Sequence, residues 1–174
     1  MSKKVVSYMI FISCIIIFSD IEGAYANTEP PTFEEKYSES GYKSVEDAIK
    51  EFEKHVNCDV NLPTLLPSIP FTHKFARFVE DKENNANDNL EIRFVNKDIK
   101  ENIFKIDIRS LKDKLDFEGE KYTLQDGTKG IYFEHQLFNF FVFEKNDLQY
   151  MLGIYKGVAN KVTPEIFVKI ANSI

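Results

Sequence analysis

Phe138-Asn139-Phe140-Phe141-Val142-Phe143-Glu144-Lys145-Asn146-Asp147-Leu148-Gln149-Tyr150-Met151-Leu152-Gly153-Ile154-Tyr155 is the stretch on which the fold turns. Two runs rich in aromatic and aliphatic residues flank Lys145-Asn146-Asp147, and that arrangement reads as a β-hairpin. Because neighbouring side chains on a strand point to opposite faces, Phe138, Phe140 and Val142 share one face while Phe141 and Phe143 take the other. On the second strand Leu148, Tyr150, Leu152 and Ile154 stand opposite Met151 and Tyr155. Strands that are apolar on both faces must be covered on both, or they expose a patch. The simplest expectation is a central strand pair, with helices on one side and a proline-rich connector on the other. The functional alternative is a concave apolar surface that takes a lipid, a peptide or a partner protein, with Phe138, Phe140, Met151 and Tyr155 as its candidate ligand-binding residues.

Working outward, the same period of two recurs. Leu90-Glu91-Ile92-Arg93-Phe94 and Phe104-Lys105-Ile106-Asp107-Ile108-Arg109 alternate apolar and charged residues, as half-buried antiparallel strands do. Lys74 to Val79, Tyr122 to Leu124 and Gly130 to Glu134 read as further strands, the last two joined across Gln125-Asp126-Gly127, a strong turn signal. Glu80 to Asn89 reads as a mobile polar loop. Helical spacing appears only near the ends. Ser44 caps a helix in which Val45, Ala48, Ile49, Phe52 and Val56 form one stripe and which stops near Asn57. Thr163 and Pro164 open a second, whose apolar face is Ile166, Phe167, Ile170 and Ile174. The expected fold is therefore α+β: a curved antiparallel sheet of six or seven strands, run as a meander, with a helix near each end of the mature chain and both helices on one face.

Pro63, Pro67 and Pro70 rule out a helix or central strand over residues 62–71, which reads as an extended apolar connector. Residues 27–41, polar and carrying Pro30-Pro31, read as a flexible leader, and residues 42–174 as a single domain.

The beginning of the chain speaks to compartment. Lys3 and Lys4 precede a run from Val5 to Phe18 that is apolar except for Ser7, Tyr8 and Ser13, followed by Ala24-Tyr25-Ala26. A basic head, a short apolar core and a small-x-small site make a secretory signal over residues 1–26, cleaved after Ala26. The run is short for a membrane span of roughly 20 residues. An uncleaved anchor is the alternative, since Ile21 extends the apolar stretch. Lipidation at Cys14 is disfavoured because Phe11 suits its position poorly and Ile15 to Phe18 would open the mature chain. The expected product is secreted or held at the outer face of the cytoplasmic membrane.

Cleavage removes Lys3, Lys4, Asp20 and Glu22, so the mature chain keeps the net charge of −6. That acidity argues against non-specific nucleic-acid binding. Cys58 is the sole cysteine after cleavage, so no internal disulfide forms, and its simplest role is a small buried hydrophobe. His55, Cys58 and Asp59 stand at a metal-like spacing, but a site needs three or four converging ligands and the helix ends between them. Glu134 and His135 point to opposite faces of a strand. No nucleophile motif, phosphate loop or calcium loop is present, and no cofactor is implied. Two functions follow as expectations: a non-enzymatic extracytoplasmic binding or sensing module, or an envelope-associated hydrolase built around His73 or His135.

The second half of the chain also resembles a family. The residues are Leu124-Gln125-Asp126-Gly127-Thr128-Lys129-Gly130-Ile131-Tyr132, then Phe141 to Tyr150, then Thr163-Pro164-Glu165 and Ile170-Ala171-Asn172-Ser173-Ile174. Together they resemble an uncharacterised domain of exported and membrane-anchored proteins in spore-forming Gram-positive bacteria, itself distantly similar to lipoprotein-carrier and envelope-stress-sensor domains. The resemblance covers roughly residues 62–174. It implies a compartment and a fold and brings no catalytic residues.

Overall fold

A computed structural model describes residues 30–81 and 88–174. The proposed signal with Ala24 and Ala26, Cys14, and residues 82–87 of the loop before the second strand lie outside the described residues. Residues from Pro31 to Ile174 form one unit.

Seven antiparallel strands make an open sheet: β1 (His73–Val79), β2 (Asn89–Val95), β3 (Ile103–Ser110), β4 (Glu120–Thr123), β5 (Lys129–Glu134), β6 (Phe138–Lys145) and β7 (Leu148–Tyr155). Helices α2 (Val45–Val56) and α3 (Pro164–Ala171) bracket it in sequence, so the fold is α+β as expected. The central hairpin closes through Asn146 and Asp147, both with positive φ, and pairs Lys145 with Leu148. Two consecutive left-handed residues match the strand twist, and Asn and Asp tolerate that conformation best after glycine.

The strand order is β1-β2-β3-β7-β6-β5-β4, which corrects the simple meander. After β3 the chain leaves the middle of the sheet, crosses to the far edge, and returns strand by strand until β7 pairs with β3. The reason lies in burial. β3 and β7 present Phe104, Ile106 and Ile108 against Leu148, Tyr150, Leu152 and Ile154, all fully buried, and pairing them puts the most apolar strands in the centre.

One face is the core. A single rung runs Ala76, Ile92, Ile106, Leu152, Phe141 and Tyr132 across β1, β2, β3, β7, β6 and β5. Helix α2 lies over β1 and β2, with Ser44 accepting from Asp47 N at one end and Asn57 in the left-handed conformation at the other. Helix α3 lies over β6, where Phe167 stacks on Phe141 at 6.1 Å. The proline-rich connector is on this same side. Ile69 is buried in the core, Leu62 and Phe71 pack against it, and Thr64 N bonds Ser173 O at 3.3 Å beyond α3. Its position corrects the expectation that it covers the opposite face. Asn96 and Asn102, at the two ends of the β2–β3 connection, both donate to Pro70 O at 3.0 Å and fasten the end of the connector there.

Two other segments cover the opposite, outer face instead. The first is helix α1 (Phe33–Glu39), closed by a capping box between Thr32 and Glu35. Tyr37 stacks on Phe75 at 4.3 Å and Phe33 packs on His73 at 5.1 Å. Residues 33–39 are therefore docked helix, where the sequence reading has flexible leader. The second is the crossover after β3. Residues 114–119 run over β7, β6 and β5 as a strap, pinned where Leu115 N donates to Gln149 Oε1 (2.9 Å) and Gln149 Nε2 donates to Leu115 O (2.8 Å). Phe117 anchors its far end by stacking on Phe133 at 5.0 Å.

Candidate functional site

The outer face between α1 and the strap gathers the residues singled out from the hairpin. Phe138, Phe140, Met151 and Tyr155 all lie on it, with Phe140 buried and the other three half-buried. Phe140 stacks on Phe133 at 5.2 Å, Phe138 packs against Phe140 at 5.9 Å, and Tyr155 meets Phe138 edge-on at 5.8 Å. With Phe117 on Phe133, this makes a continuous line of rings across β5, β6 and β7.

Lys105, from the middle of β3, lies over two of these rings, its Nζ 4.7 Å from the Phe138 centroid and 4.6 Å from that of Phe140. Gly153 makes this possible. It sits between Lys105 and Phe140 in the ladder, and a Cβ there would come within 2.9 Å of both the lysine stem and the ring. Burial lowers the Lys105 pKa, partly offset by the Asp107 carboxylate.

Beyond Lys105 the face turns to paired charge. Glu91 accepts from Tyr42 Oη at 2.8 Å and from Arg77 Nε at 2.9 Å, and meets Arg93 Nη2 at 3.2 Å. Arg93 also donates to Asp107 through Nη1. Burial alone would raise the Glu91 pKa, but Arg93, Arg77 and the Tyr42 hydrogen bond outweigh it and hold the carboxyl below its usual range. Burial pushes the Tyr42 hydroxyl up to about 12, with the Glu91 bond adding to it. Counting strand residues by register, the outer face carries Arg77, Arg93, Lys105, Arg109, Lys121 and Lys129 against Glu91, Asp107 and Glu144. The strands of this face thus carry a basic surplus, which the covering segments offset with Glu34, Glu35, Glu39, Asp116 and Glu118 against Lys36 and Lys114.

Beside the strap the face opens into a groove of about 560 Å³. Ile131 and Val142 line it from the sheet, Leu115 and Phe117 from the strap, and Lys121 and Lys129 from the β4–β5 end. Sequence reasoning missed this groove and Lys105. The groove depends on where a crossover lands, which no local pattern encodes. For Lys105, its place opposite a glycine in a pairing across three intervening strands was the only signal.

The residues considered for catalysis are dispersed. His55 Nε2 lies 2.6 Å from Asp88 Oδ2 at the end of α2, His73 stands at the start of β1, and His135 is exposed after β5. Thr72 Oγ1 lies 2.7 Å from His73 Nδ1, and His73 Nε2 lies 2.7 Å from Glu34 Oε1, a hydrogen-bonded chain that fastens α1 to β1. Thr72 Oγ1 is also an acceptor for Lys97 N at 2.9 Å. Glu134 is paired with Lys156 at 3.0 Å, away from His135. Cys58 is half-buried and donates to Asn146 O at 3.2 Å, and burial with the nearby acids Asp147, Asp59 and Glu53 pushes its thiol pKa up, away from the reactive thiolate. Among the described residues no three His, Cys, Asp or Glu side chains converge as a metal site, and no helix is long and apolar enough to cross a membrane. Comparison of the chain with protein-family models, with curated proteins and with solved structures found no match.

Proposed function

We propose that the chain is exported and that its domain acts outside the cytoplasmic membrane as a non-enzymatic binding or sensing module, with the outer face of the sheet as its docking surface. The observation that carries this reading is the line of rings from Phe117 to Tyr155, with Lys105 lying over two of them. Apolar surface flanked by a few placed polar groups is the usual make-up of a ligand site. The basic head, apolar core and Ala24-Tyr25-Ala26 support export, and the resemblance of residues 124–174 to an exported domain points the same way. Purified residues 27–174 offered lipid extract, cell-wall fragments and envelope protein should retain material identifiable by mass spectrometry, and Phe117→Ala, which removes the ring shared by the aromatic line and its groove, should lose it. Retention of nothing, or retention unchanged in Phe117→Ala, overturns the assignment of this face.

A second reading is a hydrolase. It is favoured by the Thr72–His73–Glu34 chain, which has the order of nucleophile, base and orienting carboxylate. Turnover of p-nitrophenyl esters abolished by both Thr72→Val and His73→Ala would establish it. Turnover at the buffer rate would leave the chain a purely structural fastening of α1.

A further inference from the structure

The groove beside the strap narrows what the outer face binds, a step that rests on the binding-module reading above. Its volume of about 560 Å³ falls in the small-molecule range of roughly 300–1,000 Å³, and is too small to seat a folded partner. Beside a polar lining of Asp116, Lys121, Thr128, Lys129, Glu144 and Gln149, its apolar floor and wall are Ile131, Val142, Leu115 and Phe117, which offer no side-chain hydrogen bond. A peptide laid there would leave its backbone amides without partners, which is costly, whereas an alkyl chain would lose nothing. The polar side chain nearest this floor, Gln149, spends both its donor and its acceptor on Leu115.

Charge marks one end of the groove. Lys121 and Lys129 are both exposed there, on adjoining strands, and neither pairs with a carboxylate among the described residues; Lys129 donates only to Thr123 Oγ1, at 2.7 Å. Glu144, the lining acid beside Lys129 on the neighbouring strand, is held by Lys114 of the strap at 3.0 Å, and Asp116, on the strap itself, is the other acid of the lining. An anionic head is thus attracted to the β4–β5 end and disfavoured at the strap end, which gives the ligand a direction. The two Gln149 bonds hold the wall in place before anything binds, so ordering it costs little at that moment.

We propose that this groove takes a single-chain anionic amphiphile, a long-chain fatty acid, with its alkyl chain over Ile131 and Val142 and its carboxylate between Lys121 and Lys129. The probe is 11-(dansylamino)undecanoic acid titrated into purified residues 27–174, then displaced with palmitate, with hexadecanol, and with phosphatidylglycerol vesicles. Palmitate should displace the probe, and hexadecanol roughly tenfold less well, the equivalent of one charged contact. The doubly neutralised Lys121→Gln/Lys129→Gln protein, altered only at exposed positions, should weaken palmitate by at least that factor with its thermal melt unchanged. Ile131→Trp should fill the groove and abolish displacement. Equal displacement by hexadecanol, unchanged palmitate affinity after neutralisation, or preference for the two-chain vesicles would each overturn the proposal. Should the wild-type protein and Ile131→Trp capture the same material from envelope extract, the groove assignment fails while the binding-module reading stands. If neither captures any, both fail.

Discussion

Gln149→Ala tests whether the strap is a structural member or an incidental loop. Gln149 is 4% exposed and sits on β7 with its amide turned to the backbone of Leu115. Truncation removes two hydrogen bonds of 2.9 and 2.8 Å. Each such bond contributes about 0.5–1.5 kcal/mol net, so the pair contributes about 1–3 kcal/mol. The cost stays at this net level rather than rising to a full desolvation penalty, because Leu115 is 40% exposed and water can reach its freed N–H and C=O. Against a total of about 5–15 kcal/mol the loss is measurable without unfolding the domain. Urea melts should show a lower midpoint at unchanged slope. Trypsin and chymotrypsin should cut faster at Lys114 and Phe117. Gln149→Glu is the sharper control: it keeps the acceptor, loses the donor, and faces Glu144 in the ladder with a like charge. A wild-type midpoint together with wild-type cleavage rates for both variants would refute the idea that these bonds hold the strap.

Phe167→Ala, which empties a fully buried site stacked on Phe141, should cost roughly 3–5 kcal/mol, while Lys169→Ala on the solvated side of α3 should cost under about 0.5 kcal/mol, as read by urea melts. The folded-state pKa of Glu91 is lowered, so its stabilisation is full above the ordinary glutamate value of 4.5 and is lost as pH falls through the lower folded value. Glu91→Gln should therefore cost about 1–3 kcal/mol at neutral pH, and its deficit against wild type should shrink in melts taken progressively below that value. Ala26→Asp places a charge where the peptidase needs a small residue, and immunoblots should show a larger, membrane-bound species, with wild-type size in the culture supernatant contradicting the cleavage site.

The elements were legible because each is announced locally. Ser44 and Asn57 mark the two ends of α2, Asn146-Asp147 marks the tight turn, and the apolar alternation of β2 and β3 shows which face is dry. The order of strands was not legible, because antiparallel pairing depends on matching apolar faces at long range, and β3 matches β4 or β7 equally well by period alone. Residues 31–39 misled for a different reason. A seven-residue helix with no fully buried side chain is held by Phe33 and Tyr37 packing on a distant strand, and Pro30-Pro31 with Glu34-Glu35 read as leader when those partners are out of view.

For the outer face, the same separation between local pattern and long-range pairing decides what the chain presents. The hairpin alone shows that Phe138, Phe140, Met151 and Tyr155 share a side. It does not show that the opposing positions on β2 and β3 are Arg93 and Lys105, which become neighbours only through the β3–β7 pairing. Each charged residue of β2 and β3 is unremarkable on its own strand as the wet half of an alternation. Once registered against the hairpin they form a network of paired charge beside an aromatic field, and Gly153 leaves the room for Lys105 to lie across the seam. Most of that charge is spent internally, Arg77 and Arg93 on Glu91 and Arg93 and Lys105 on Asp107. Lys121 and Lys129 differ: neither pairs with a carboxylate among the described residues, and both line the groove beside Ile131 and Val142. Unspent positive charge next to apolar lining is the physical reason to expect a negatively charged, partly apolar ligand here rather than water alone.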